Sequence, residues 1–318
     1  MNALVKSAAF KILGNPALLR SRLSRLADSD RLTITNFHRV APPDGSAYRP
    51  MAPELFDDVV GFLNRNFTLI TFAELADFRR ADKPPAIISF DDGYLDFAEH
   101  AAPILKRHGV RSNHNVIPAC IESGLPPLNV LVQDFVGKAP EPLLAEFDVP
   151  GFGPVEPAEG RERFGHRLSQ FLKNKPMAEQ KSLAKLLLPQ TERMDGFKPT
   201  PMMGRADVRA IADSHELGAH SFEHATLACE DDEYVRSDAR ACLEYFTDKL
   251  GVETEIYALP NGDGRPSQLE LIRSAGFRHI LQVGEDYSST SATNHRRFTM
   301  YGDSRHELRF RATGFRRG

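Results

Sequence analysis

Short apolar runs alternate with amphipathic helical patterns along most of the 318 residues, and that rhythm restricts the chain to the α/β class. LTITNF (32–37), FTLIT (67–71), AIISF (86–90) and SNHNVI (112–117) read as strands, with helical patterns over 56–66, 72–80 and from Asp96 to the stop at Gly109. The alternation resumes after residue 200 with ADVRAIADSH, ELGAHS, a long helix from Asp231 to Leu250, EIYALP, SQLELIRSAGF and HILQV. Such a chain predicts a mainly parallel sheet, open or closed into a barrel, with ligands at the carboxyl ends of the strands. Residues 118–200 break the pattern with proline- and glycine-rich sequence and two helical stretches, so they read as an inserted helical subdomain or lid. The sheet-forming domain is then 31–117 with 201–318, preceded by a basic helical segment over 1–30.

Two adjacent carboxylates, Asp91 and Asp92, end the apolar run ISF before Gly93. Like charges this close resist joint ionisation unless a cation lies between them or one turns away. A metal ion answers the first case and a solvated turn the second. Farther on, GAHSFEH (218–224) places His220 and His224 four residues apart after a strand, with Ser221 able to cap a helix that would bring both imidazoles to one side. Two imidazoles and one carboxylate leave coordination positions open for water and substrate, and free the second carboxylate to act as a base.

At these residues the chain resembles the NodB-type polysaccharide deacetylases, a carbohydrate esterase family with a distorted (β/α) barrel: SFDDGY is similar to the first family motif and HSFEH to the second. The resemblance implies Asp91 as catalytic base and Asp92, His220 and His224 as ligands of a divalent metal, zinc first among candidates. ALPNGD (258–263) resembles the third motif, which makes the backbone N–H of Asn261 an oxyanion donor. Two departures stand out. The arginine that the family often places two residues before this proline is Ala258 here, so Asp91 must be held by another group. No late Leu-x-His motif supplies a general acid, since His279, His295 and His306 lack that context. TNFHRV (35–40) resembles the first-strand segment of the circularly permuted members that act on exopolysaccharides, which implies His38 as the acid.

The expected activity is therefore metal-dependent removal of an acetyl group from an N-acetylated sugar of a polysaccharide or its precursor. Two alternatives are a hydrolase of a small non-sugar amide and a catalytically silent carbohydrate-binding protein on the same fold. A net charge of −3 gives no reason to expect a nucleic-acid partner. Three cysteines, Cys120, Cys229 and Cys242, form no metal or disulfide pattern and suit a reducing compartment. The first 26 residues carry five basic and no acidic groups, with Lys11 interrupting the best apolar run, which is a poor secretory pattern. Such a segment can lie on an anionic membrane surface or pack on its own domain. The expectation is a cytoplasmic protein, at the inner membrane face where the segment binds, with an acetylated glycan or a lipid-linked sugar precursor as partner.

Overall fold

Strand β1 (Arg31–Phe37) has two parallel neighbours, and this double pairing closes the sheet. The computed structural model describes residues 10, 14–79, 81–153, 159–262 and 264–314. After β1 come β2 (Thr68–Leu69), β3 (Pro85–Phe90), β4 (Asn113–Val116), β5 (Glu216–Ala219) and β6 (Ile256–Ala258). They are followed by β7 (His279–Val283), β8 (Ser288–Ser289) and β9 (Asn294–Thr299). Seven of them close in the order β1-β3-β4-β5-β6-β7-β9 and back to β1, all parallel, with helices outside. The (β/α) barrel expected from sequence is thus the observed fold. β2 extends the sheet beside the start of β3, and β8 adds to β1 antiparallel.

Alternation along the strands sorts the side chains. Outward residues such as Phe37, Ile88, Phe90, Leu217 and Tyr257 join the large core under the helices. Inward residues Leu32, Ile34, Ile87, Ile256, Ala258 and Leu281 fill the barrel's lower half, which Ile70, Phe72 and Leu75 plug. That plug explains a misread element. Over 72–80 the sequence predicts a helix, but the chain makes successive turns, because Glu216 accepts the N–H groups of Phe72 and Ala73 (2.9 and 2.7 Å) while Phe72 and Leu75 enter the barrel. Arg80 lies outside the described residues.

At this lower end two buried imidazoles meet, His279 Nδ1 and His295 Nε2 at 3.0 Å, with the Ser288 hydroxyl on His295. Burial pulls their pKa values down to about 4 and about 3. Folded values below the unfolded ~6.5 mean that the unfolded chain binds more protons, so this stability is intact above pH ~6.5 and lost as pH falls toward 3–4. We expect the unfolding free energy from urea titrations to drop between pH 6.5 and 4, by up to ~1.4 kcal/mol per pH unit for each histidine. A His279→Gln, His295→Gln variant should flatten the fall; an unchanged slope would refute the assignment.

Within the N-terminal segment expected over 1–30, residues 1–9 and 11–13 lie outside the described residues. The helix Pro16–Ala27 is capped by Asn15, whose side chain accepts the Ala17 N–H, and its Leu19, Leu23 and Leu26 are buried in the main core. Its apolar stripe is therefore used by its own domain. Among the described residues no helix is long and apolar enough to cross a membrane.

Between β4 and the helix Arg205–Ala212 that precedes β5 run the helices Pro118–Ser123, Leu128–Lys138, Glu141–Ala145, Arg161–Lys173 and Met177–Glu192. The last four of these share a separate apolar cluster including Phe135, Leu144, Phe164, Leu168, Leu172 and Leu187, while Ile121 of the first packs in the main core. Gly137 lets this layer sit directly on the loop after β1, since a Cβ there would lie 2.2 Å from the Gly45 carbonyl oxygen.

Candidate metal centre

Asn36 on β1, Ser89 on β3, Asn113 and Asn115 on β4 and Arg297 on β9 form a buried polar layer above the apolar half of the barrel. Gly218 on β5 makes room for it: a Cβ there would stand 2.1 Å from Asn115 Oδ1. Asp91 continues the inward face of β3 and is clamped by this layer. Arg297 grips it with two parallel bonds of 2.8 Å, one to each carboxylate oxygen, while Asn36 and Asn115 donate at 2.9 and 2.8 Å. Burial alone would raise the pKa of Asp91, but the Arg297 charge, helped by His220 and His38, holds it well below the usual carboxylate range.

Here is the group that replaces the absent arginine at position 258. Arg297 is fully buried and lies on a strand the sequence reading overlooked, because NHRRFT has no apolar alternation to mark it. The signal was indirect: once position 258 reads Ala, an inward arginine near another strand end is what remains to be sought.

Adjacent strand residues face opposite ways, so Asp92 would ordinarily turn from the pocket. Its left-handed backbone, φ 79, followed by Gly93 at φ 88, brings it back. Asp92 Oδ1 sits 3.3 Å from His220 Nε2 and 3.4 Å from His224 Nε2. A tetrahedral ion with ligand bonds of about 2.0–2.1 Å has ligand-to-ligand edges of about 3.3–3.4 Å. Asp92 Oδ1 is also a buried oxygen with no hydrogen-bond partner, which a cation would satisfy. Asp92, His220 and His224 are a group able to hold one ion, all three buried.

The two histidines are not brought together by a helix. After β5 the chain forms an irregular loop with Ser221 at φ 55 and His224 at φ 66, and the next helical turn, Leu227–Cys229, begins beyond it. Non-glycine residues in this region are strained, so the loop needs anchors. Ser221 accepts the Ala225 N–H (3.1 Å) and donates to Asp238 (2.8 Å), which also accepts the Phe222 N–H (2.9 Å) and the Tyr257 hydroxyl. His220 Nδ1 donates to the Ala258 carbonyl (2.9 Å), which fixes the ring with Nε2 toward Asp92.

His38, two residues beyond Asn36 on the same face, is half-buried with Nε2 4.0 Å from Asp91 Oδ2. Asn261 follows β6 at φ 60, and its amide donates to Thr226 Oγ1 (2.6 Å), two residues past His224. Asp91, Asp92, His38, His220 and His224 therefore meet at one barrel mouth. Asn261 borders it through Thr226, while Asp263, the last residue of its motif, lies outside the described residues.

A closed parallel barrel with an arginine-clamped carboxylate beside an Asp-His-His group at its mouth defines a (β/α) barrel with a candidate metal centre. Residues 175–280 match the polysaccharide deacetylase family model, in agreement with the NodB-type resemblance drawn from the motifs. That stretch holds His220, His224 and Asn261 but not Asp91 or Asp92. Among curated protein sequences none matches. Similar solved structures include IcaB from Ammonifex degensii, 17% identical, covering 90% of this chain and 98% of that one with a TM-score of 0.58. The Streptococcus pyogenes deacetylase PplD in complex with acetate is 14% identical over 85% of this chain and 92% of its own, TM-score 0.56. The BpsB deacetylase domain from Bordetella bronchiseptica is 14% identical over 85% and 95%, TM-score 0.51. At these identities the likeness establishes the fold.

Proposed function

We propose that this chain is a divalent-metal-dependent deacetylase of N-acetylated sugar units in a glycan or its precursor. The observation that carries the reading is the juxtaposition of a clamped, ionised Asp91 with the Asp92-His220-His224 group. When bound there, a divalent ion supplies Lewis-acid chemistry and lowers the pKa of water toward ~7. Asp91, held in line by Arg297, takes the proton of the attacking water. The Asn261 N–H donates to the oxyanion that develops on the acetyl carbonyl, and His38 gives a proton to the departing amine, which is too basic to leave as an anion. Zinc suits two imidazoles and a carboxylate.

Chelator-sensitive release of acetate from an N-acetylated glycan tests the activity; no release from metal-loaded protein would favour the silent binding protein. The metal site has its own test by mass spectrometry. Wild type should hold about one divalent ion per chain and His224→Ala none. Full occupancy in the variant would remove His224 from the ligand set.

A further inference from the structure

The helix Arg161–Lys173 of the inserted layer ends at the barrel mouth. Its last carbonyl, that of Lys173, accepts a hydrogen bond from Thr226 Oγ1 at 2.7 Å, and Thr226 Oγ1 in turn accepts from the Asn261 amide. Lys173 is thus fixed to the loop that carries His224. Neighbouring lysines are neutralised: Lys175 pairs with Glu179 at 3.1 Å and Lys181 with Glu223 at 2.8 Å. Lys173 is half-buried, and among the described residues no carboxylate forms an ion pair with it. The carboxylate whose charge acts on it is Asp92, and its own charge lowers the pKa of His38 and His224.

An unpaired cation beside a cation-binding group costs free energy, so it needs a compensating anion. The charges at the mouth show which side lacks it. Asp91 is paired with Arg297, whereas Lys173 has only the unbonded charge of Asp92 near it; a divalent ion held by Asp92, His220 and His224 would claim that carboxylate and leave these groups with two net positive charges. A neutral sugar brings no anion of its own to them; only the oxyanion and then the product acetate arise during turnover.

We propose that Lys173 is an anion-recognition residue supplied by the inserted layer, and that the substrate is an acetamido sugar bearing a carboxylate or phosphate near its acetylated nitrogen. This rests on the deacetylase reading for the word substrate but not for the anion site itself. A lysine presents a compact point charge that either oxyanion satisfies.

The test compares zinc-loaded wild type and Lys173→Met, which keeps the apolar stem, by calorimetry or ligand-observed NMR. The probes are N-acetylglucosamine, its 1-phosphate and N-acetylmuramic acid. Wild type should bind at least one charged probe about 10-fold more tightly than the neutral sugar, as expected for one charge-assisted contact. Lys173→Met should lose that preference with an unchanged melting temperature, and Lys173→Arg should retain most of it. Preference for the phosphate or for the lactyl carboxylate identifies the source of the anion. Equal binding of all three probes by wild type, or a preference that survives in Lys173→Met, overturns the proposal. Because binding is read without turnover, a Lys173-dependent preference in protein that releases no acetate would reject the deacetylase reading and leave the anion site standing.

Discussion

Arg297→Met should remove about 3–5 kcal/mol of stability and slow acetate release by at least roughly 10²-fold, while leaving the metal content intact. The two effects have one origin. Asp91 is 2% exposed, and among the described residues Arg297 is its one permanently charged partner, so the variant leaves a carboxylate in the barrel with two amides and only the titratable His38 nearby. Removing one partner of a buried pair exposes the whole desolvation cost of the other. Activity falls because Asn36 and Asn115 can still donate but no longer resist rotation of the carboxylate, and small misplacements of a base are costly. Arg297→Lys should sit between the two, since an ammonium restores charge without the planar fork. Asp91→Asn in the Arg297→Met background should recover part of the lost stability while remaining inactive. Urea unfolding, acetate release and metal analysis on these variants decide the matter. A fully active, fully stable Arg297→Met would show that Asn36 and Asn115 suffice and that the clamp is incidental.

Much of this centre is legible in the sequence, and the illegible parts have specific causes. β1, β3 and β5 are apolar enough to read directly, and the carboxylates and imidazoles follow at their carboxyl ends, where an α/β fold places its chemistry. β9 escapes because its inward residues are His295 and Arg297, the partners of a histidine and a carboxylate from distant segments. A buried charge looks like a surface charge until its counterion is placed. Closure of the barrel is equally hidden, since the pairing of β1 with β9 joins residues more than 250 positions apart. The HxxxH spacing misled for another reason. Four residues suggest a helical turn, but Ser221 and His224 adopt left-handed backbone that only the anchoring by Asp238 and the packing around it make tolerable. The two rings do lie together, 5.0 Å between centroids, but an irregular loop and not a helical turn places them there.

The general acid is where position within the barrel discriminates most sharply. His279 begins β7 and His295 is the second residue of β9, so both lie at the end opposite the metal group, bonded to each other and packed on Phe72. Neither can reach a leaving amine at the mouth. His38 leaves β1 at the correct end, 4.0 Å from Asp91, on the face shared with Asn36. His38→Ala should therefore slow hydrolysis of an N-acetyl amide by roughly 10²- to 10⁴-fold. The same variant should lose much less on an O-acetyl ester, because an alkoxide leaves with less help than an amine anion. Metal content and melting temperature should stay at wild-type values, since His38 belongs to neither the Asp92 group nor the polar layer. Equal losses on amide and ester would instead make His38 a binding or orienting group. An unchanged amide rate would mean that the amine takes its proton from water or from Asp91, which would by then hold the proton of the attacking water.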